Sequence, residues 1–101
     1  MQQYAYVLKR MKEIKESDGS SMLDNSLVTY GAALGDGSTH QYYDLPMLVA
    51  GRGQGQVKQG RFIQCKSGTL NSNLWLSVAK LMGLEMESFA DSTGVISDMW
   101  T

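Results

Sequence analysis

The chain has 101 residues, a formal net charge of -1, and 43% hydrophobic against 19% charged residues. A length of this order allows one domain with a small core. Lysine and arginine are spread along the chain without the basic stripe of a nucleic-acid-binding protein, so we expect no nucleic-acid partner. No apolar run approaches the roughly 18 residues that a transmembrane helix needs, so we expect no transmembrane segment.

An amphipathic pattern predicts the first helix over residues 2–17. Its apolar positions recur at helical spacing, while charged residues fill the opposite face. We expect the apolar stripe to pack on a sheet, since mixed charge on the other face is untypical of a membrane-surface helix. Gly19 suits the left-handed position that follows a helix. The stripe comprises Tyr4, Val7, Leu8, Met11 and Ile14.

Three short β-rich segments follow, at residues 26–31 (SLVTYG), 45–51 (LPMLVAG) and 61–66 (RFIQCK). Residues 47–50 are continuously apolar, which is typical of a strand covered on both faces in a parallel sheet. Residues 61–66 alternate and predict an edge strand. Within it, Cys65 is expected to be a small buried hydrophobe, because no second cysteine or neighbouring histidine supports a reactive thiol.

The clearest helix signal begins at Asn71 and ends at Gly83. Asn71 suits the N-cap, Leu70 and Trp75 are spaced for a hydrophobic staple, and Gly83 suits the position after the last turn. The expected buried stripe comprises Leu74, Trp75, Val78, Leu81 and Met82. The segment SFADSTG that follows, at residues 88–94, favours a turn in which Asp91 and Ser92 cap local amides over a nucleophilic site.

These elements predict an α/β fold. The order helix, strand, strand, strand, helix gives a single domain over residues 1–101, with a short, mostly parallel sheet flanked by two amphipathic helices. Two or three short strands make a poor sheet alone. We therefore expect the chain to be part of a larger structure.

Two loops contain residue types that bind ligands. Glycines alternate in GRGQGQ at residues 51–56, but a strand pattern rather than a helix follows, so a connection is favoured over a phosphate-binding loop. In GDGSTH, Asp36 and His40 follow a predicted strand, where α/β sheets bind ligands. Both are suitable ligands for Zn or Mn, although a catalytic zinc usually has three protein ligands. Spacing alone leaves open both a metal-binding loop and a solvent-exposed turn.

Five motifs occur in order along the chain: LDNS at 23–26, Asp-Gly-x-x-His at 36–40, LP-x-L-x-AG-x-G-x-G at 45–55, NLW at 73–75 and ESFADSTG at 87–94. Over about residues 7–96 the chain resembles the carboxyl-terminal region of an uncharacterised bacterial family, domain of unknown function 1552, found in planctomycetes and verrucomicrobia. That family is usually exported and is similar to the alkaline-phosphatase and sulfatase superfamily.

The resemblance implies a partial alkaline-phosphatase-like layered fold and a periplasmic or exported full-length protein. It also implies that Asp36 and His40 are the ligands of a divalent metal, Zn or Mn. In the superfamily the familiar ligand pair is an adjacent Asp-His, whereas three residues separate the two here. The superfamily's nucleophile and further metal-binding acids come from strands upstream of the region that this chain matches.

Two functions follow as expectations. In the first, the chain is the carboxyl-terminal fragment of a metal-dependent phospho- or sulfo-ester hydrolase-like protein and is inactive alone. In the second, it is a non-enzymatic α/β module that binds a ligand or a partner chain. Its expected partners are the missing upstream part of the domain or, through an open sheet edge, a second copy of itself.

Overall fold

The computed structural model describes residues 1–33, 38–40 and 44–101 of the chain. In chain order they form helix α1 (Gln2–Glu13), strand β1 (Val28–Gly31), strand β2 (Met47–Ala50), helix α2 (Asn71–Leu81) and a short 3-10 helix (Ser97–Met99). The chain is therefore a small α/β protein, as its periodicity predicts. None of the helices formed by the described residues combines the length and the apolar sequence that spanning a membrane requires.

The two strands form an antiparallel sheet, in which Val28 faces Ala50 and Gly31 faces Met47. The prediction of a mostly parallel sheet is therefore wrong, and an alkaline-phosphatase-like layering is not supported. A parallel pair needs a crossover of a dozen or more residues, and the length of segment 32–46 is compatible with either arrangement. The apolar run at residues 47–50 favours the parallel arrangement. In this small sheet the run is not covered on both faces, since Leu48 is 43% exposed.

The predicted edge strand at residues 61–66 is also wrong, because this segment has no regular secondary structure. Phe62 is 89% exposed, and Cys65 is exposed rather than buried. The Arg61 side chain donates to the backbone carbonyl of Asp98 at 3.0 Å, which ties the segment to the 3-10 helix. An alternating sequence forms a strand only where a neighbouring strand supplies backbone partners.

Helix α1 contacts the sheet through Tyr4. The Tyr4 hydroxyl donates to the backbone carbonyl of Val28 at 2.9 Å, and its ring lies 5.1 Å from that of Tyr30. Burial raises the pKa of this phenol. The predicted packing on a sheet is confirmed at this residue, but the helix ends at Glu13, earlier than expected, and buries none of its side chains fully. Ile14 then takes an extended conformation.

The glycine loop, defined here as residues 51–57, packs against residues 23–26. The amide of Arg52 donates to the carbonyl of Leu23, that of Gly53 to Ser26, and that of Gln54 to Asp24, at 2.9–3.3 Å. Gly51 has a φ of 96°, and a Cβ at this position would lie 2.1 Å from the carbonyl oxygen of Ser26. These contacts support the interpretation of the loop as a structural connection.

The core gathers around α2. Among the described residues its buried apolar side chains are Val57, Leu74, Leu76 and Met99, of which Leu76 is fully buried. The helix begins at Asn71 with Leu70 as its N-cap, one residue earlier than predicted, and Gly83 follows it with a φ of 90°. The buried face also differs from the predicted stripe, because Met82 is 67% exposed. Three polar residues of α2 are buried in addition: Ser72, Asn73 and Ser77.

Candidate functional site

The structure describes only one of the two predicted metal ligands. His40 is exposed and has a φ of 55°, a left-handed conformation in which histidine is more common than most residues. Asp36 lies outside the described residues, so the pairing of the two stays a prediction. Among residues 1–33, 38–40 and 44–101, no three histidine, cysteine, aspartate or glutamate side chains lie together as a metal site.

The antiparallel pairing removes the geometric reason for expecting a metal at this loop. That expectation required β1 and β2 to run the same way, so that the loop after β1 emerged at the ligand-binding edge of a parallel sheet. With Val28 opposite Ala50, residues 32–46 instead join the two strands of a hairpin. A hairpin connection has no such edge, and the metal prediction now depends on the resemblance alone.

A polar cluster lies between α2 and residues 89–96, and we call it the α2 clasp. Its members on the helix are Ser72, Asn73 and Ser77, which are all buried. The Ser72 hydroxyl donates to the Asp91 carboxylate at 2.7 Å. Asn73 accepts from the Thr93 amide at 2.8 Å and donates to the Thr93 hydroxyl at 3.2 Å. The helix thereby holds the following segment by side-chain hydrogen bonds.

Ser77 closes the clasp at its other end. Its side chain is fully buried, donates to the Asn73 carbonyl at 2.7 Å and accepts from the Ile96 amide at 2.8 Å. Every buried side-chain nitrogen and oxygen in the described part of the chain has a hydrogen-bond partner. Such a fully satisfied network stabilises one arrangement of two segments. The clasp is therefore built to hold the chain together.

The ADSTG turn within the clasp agrees in part with its prediction. The Ser92 hydroxyl accepts from the Phe89 amide at 2.8 Å, so the predicted local cap is confirmed at Ser92. The Asp91 carboxylate instead accepts from Ser72 on α2. The buried stripe predicted for α2 contained only apolar residues, so the burial of its polar residues was not predicted. The available signal was the pair Asn73 and Ser77, poor helix formers four residues apart between leucines.

We expect Ser77→Ala to destabilise the protein by about 1–2 kcal/mol, because the half-buried Ile96 amide would lose its acceptor. Amide hydrogen exchange should rise at Ile96 and Thr93 in particular. The matched control is Ser88→Ala, at an exposed serine, which should change stability by less than about 0.5 kcal/mol. Equal effects of both substitutions on urea unfolding would contradict the role of the clasp.

A second polar cluster connects α1, residues 21–26 and the glycine loop. The Ser21 amide donates to the Asp24 carboxylate at 3.1 Å, and the Asp24 amide donates to the Ser21 hydroxyl at 3.1 Å. Arg52 lies 3.7 Å from the same carboxylate, with both side chains exposed. The hydrogen bonds from Ser21 lower the pKa of Asp24, and the positive charges of Arg52 and Lys15 lower it further. The cluster favours an ionised Asp24.

This pKa shift predicts a pH-dependent stability. The folded protein has the lower pKa at Asp24, so the stabilisation is fully present above the ordinary aspartate value of 3.8 and is lost as the pH falls through the lower folded pKa. Asp24→Asn should therefore shift the urea midpoint most near pH 7 and progressively less as the solution is acidified. Glu87→Gln, at an exposed acid, is the control. A difference between wild type and Asp24→Asn that stays constant with pH would contradict this account.

Exposed apolar side chains are the second distinctive feature of the surface. Those of the described residues are Met1, Tyr6, Val7, Ile14, Tyr30, Leu48, Phe62, Met82, Leu84, Phe89 and Val95. Single exposed hydrophobic residues are ordinary, whereas groups of them mark interaction surfaces. Here Tyr6 and Val7 belong to α1, Ile14 follows that helix directly, and Tyr30 and Leu48 are cross-strand neighbours. These groups are candidates for contact with another molecule.

Comparison with known proteins adds no further identification. No protein-family model, no curated protein and no solved structure matches this chain.

Proposed function

We propose that the chain is a non-enzymatic α/β module that acts by binding a protein partner. The observation that supports this proposal is the imbalance between its core and its surface. Only Val57, Leu74, Leu76 and Met99 are buried apolar residues among those described, whereas eleven large hydrophobic side chains are exposed. Removing apolar surface from water contributes about 25 cal/mol per Å², so a partner that covers these groups would bind favourably.

The contacts of the shared motifs agree with a module of this kind. LDNS supplies the carbonyls that accept from the glycine loop, and Asp91 and Thr93 of ESFADSTG bond to α2 in the clasp. In both cases the motif residues connect two segments of the chain. The motifs that underlie the family resemblance thus have structural roles here, and a scaffold can share them without sharing a reaction.

Site-specific photo-crosslinking tests the proposal. A benzophenone amino acid replaces Tyr6, which is 64% exposed on α1. The full chain is produced in the organism that naturally makes it, so that its natural partner is present. The control places the same group at Gln64, which is exposed in the irregular segment. We expect an adduct of one defined mass from position 6 and none from position 64. No adduct from position 6, or the same adducts from both, would overturn the proposal.

We keep as a second candidate the carboxyl-terminal portion of a metal-dependent phospho- or sulfo-ester hydrolase-like protein. The resemblance alone supports it, and His40 is exposed in the structure. In such a protein Asp36 and His40 would hold Zn²⁺ or Mn²⁺, which supplies a Lewis acid for ester cleavage. The nucleophile would come from the upstream part of the domain, as would further ligands.

We expect wild type to bind Zn²⁺ about tenfold more tightly than an Asp36→Ala/His40→Ala variant, as measured by isothermal titration calorimetry. The physical reason is the loss of both side chains that can donate to the ion. Glu16→Ala, which removes an exposed acid on another segment, is the control and should bind like wild type. Equal, weak binding by wild type and the double variant would remove Asp36 and His40 from a metal role.

A further inference from the structure

The exposed face of α1 combines apolar and basic groups, and we call it the α1 surface. Val7 and Arg10 stand at i and i+3 on one face of the helix, and Ile14 follows directly after its last residue, Glu13. Val7 is 44% exposed and Ile14 is 39% exposed. Tyr6, 64% exposed, lies on the same side of the helix as Arg10, and the exposed Lys9 precedes Arg10 in the chain. Arg10 also forms an exposed ion pair with Glu13 at 2.9 Å, which still leaves part of its guanidinium available.

A second exposed surface follows α2, and we call it the 82–89 surface. Met82 is 67% exposed, Leu84 is 59% exposed and Phe89 is 44% exposed. An open concavity is lined in part by Leu84, and its lining also contains two carboxylates, Glu85 and Glu87. Lys80 and Met86 complete the lining. This surface therefore offers apolar contact around a recess with two negative groups and one positive group.

The charges of the two surfaces are opposite. Residues 1–16 contain four basic and two acidic side chains, whereas residues 81–101 contain four acidic side chains and no lysine or arginine. The four acids are Glu85, Glu87, Asp91 and Asp98, and none of them forms an ion pair with a described residue. Attraction between unpaired charges of opposite sign steers association and fixes its orientation.

We propose that the chain binds a second copy of itself, with the α1 surface of one copy on the 82–89 surface of the other. The proposal rests on the proposed function and names its partner. Arg10 and Lys9 of one copy face Glu85 and Glu87 of the second, and Val7 and Ile14 cover its exposed Leu84 and Met82. The apolar contact supplies the stabilisation, and the charges select the pairing.

A second copy fits because each chain has both halves of the contact. Two copies related by a two-fold axis would make the contact twice and form a closed dimer. A partner without a basic apolar helix would leave Glu85 and Glu87 desolvated and unpaired beside apolar groups, which is unfavourable. The opposite charges of the two surfaces therefore favour the chain itself over a partner of arbitrary charge.

Sedimentation velocity on the full chain tests this association. We expect the mass to rise above the 11.1 kDa monomer as concentration increases from micromolar towards millimolar. Raising salt from about 0.01 M to about 1 M shortens the Debye length from about 30 Å to about 3 Å and should weaken association about tenfold. A monomer at every concentration, or association insensitive to salt, would overturn the proposal.

Charge reversal identifies the surfaces. Lys9→Glu/Arg10→Glu and, separately, Glu85→Lys/Glu87→Lys should each weaken association about tenfold or more, because like charges would face each other. An equimolar mixture of these two variants should associate, since the reversed α1 surface of one then matches the reversed 82–89 surface of the other. Lys58→Glu/Lys66→Glu reverses two exposed lysines elsewhere and should leave association unchanged.

The mixture also separates this proposal from misfolding and from the proposed function. Variants that had lost their fold would not associate when mixed, and that result would overturn the proposal. If crosslinking from position 6 yields an adduct with a different protein while the chain stays monomeric, the partner-binding function stands and self-association fails. If no adduct forms, the partner-binding function and the self-association built on it both fail.

Discussion

Replacing Leu76 by alanine is expected to lower the free energy of unfolding by about 3–4 kcal/mol. Leu76 is only 1% exposed and is, with Ser77, one of the two most completely buried side chains in the described part of the chain. Its removal would leave a cavity beside the α2 clasp, where the hydrogen bonds of Asn73 and Ser77 hold the neighbouring backbone in place. Because this backbone cannot move in to fill the cavity, the substitution lowers the free energy of unfolding more than it would at a site that relaxes.

The effect is large because the core is small. For a domain of this size the total stability is on the order of 5–10 kcal/mol, so the loss would be a substantial part of it. Urea unfolding followed by circular dichroism measures the change. Phe62→Ala is the control, since this phenylalanine is 89% exposed, and it should cost less than about 0.5 kcal/mol. A cost below about 1 kcal/mol at Leu76 would contradict its position in the core.

The second large effect is expected at Gly51, where alanine should destabilise the fold by about 3 kcal/mol or more. A φ of 96° is unfavourable for any residue with a Cβ, at a cost of about 1–2 kcal/mol. A Cβ would also lie 2.1 Å from the carbonyl oxygen of Ser26, which cannot yield without moving the backbone. That carbonyl accepts from Gly53, so its displacement would break a hydrogen bond of the glycine loop.

Gly55→Ala separates the two causes. Gly55 has a similar φ of 85°, but a Cβ there would have nothing within 4 Å. Its substitution should therefore show the backbone cost alone, about 1–2 kcal/mol. Urea midpoints of the two variants give the difference, which measures the contact with Ser26. Equal costs at both glycines would show that the close approach of residues 51 and 26 is not present in solution.

Features that depend on local sequence could be predicted. The helix after Leu70 follows from its apolar periodicity and from Gly83, and the first helix follows from the same periodicity of Tyr4, Val7 and Leu8. The end of the first helix could not be predicted in this way. Lys15 forms a backbone bridge to Ser21, and the periodicity of the helix contains no information about that bridge. Helix periodicity is a property of neighbouring residues, whereas such a bridge depends on how the chain turns back.

Long-range features were beyond the reach of the pattern. The direction of β2 relative to β1 depends on how residues 32–46 return, and an apolar run such as 47–50 suits either direction. The burial of Asn73 and Ser77 depends on hydrogen bonds to Thr93 and Ile96, about twenty residues away. Two suitable residue types in a loop do not fix where their side chains lie, so the sequence alone could not establish a metal site. Titration with Zn²⁺ tests Asp36 and His40.

The connection between Lys58 and Met99 bears on how the protein folds during its synthesis. The Lys58 amide donates to the Met99 carbonyl at 2.9 Å, beside the buried side chains of Val57 and Met99. About 40 residues separate the two in sequence, so a ribosome adding about 5–20 residues per second needs about 2–8 seconds between them. During that interval the glycine loop can already form its hydrogen bonds with residues 23–26, whereas the hydrogen bond between Lys58 and Met99 cannot yet form. We therefore expect the contact between residues 58 and 99 to form after the glycine loop has docked.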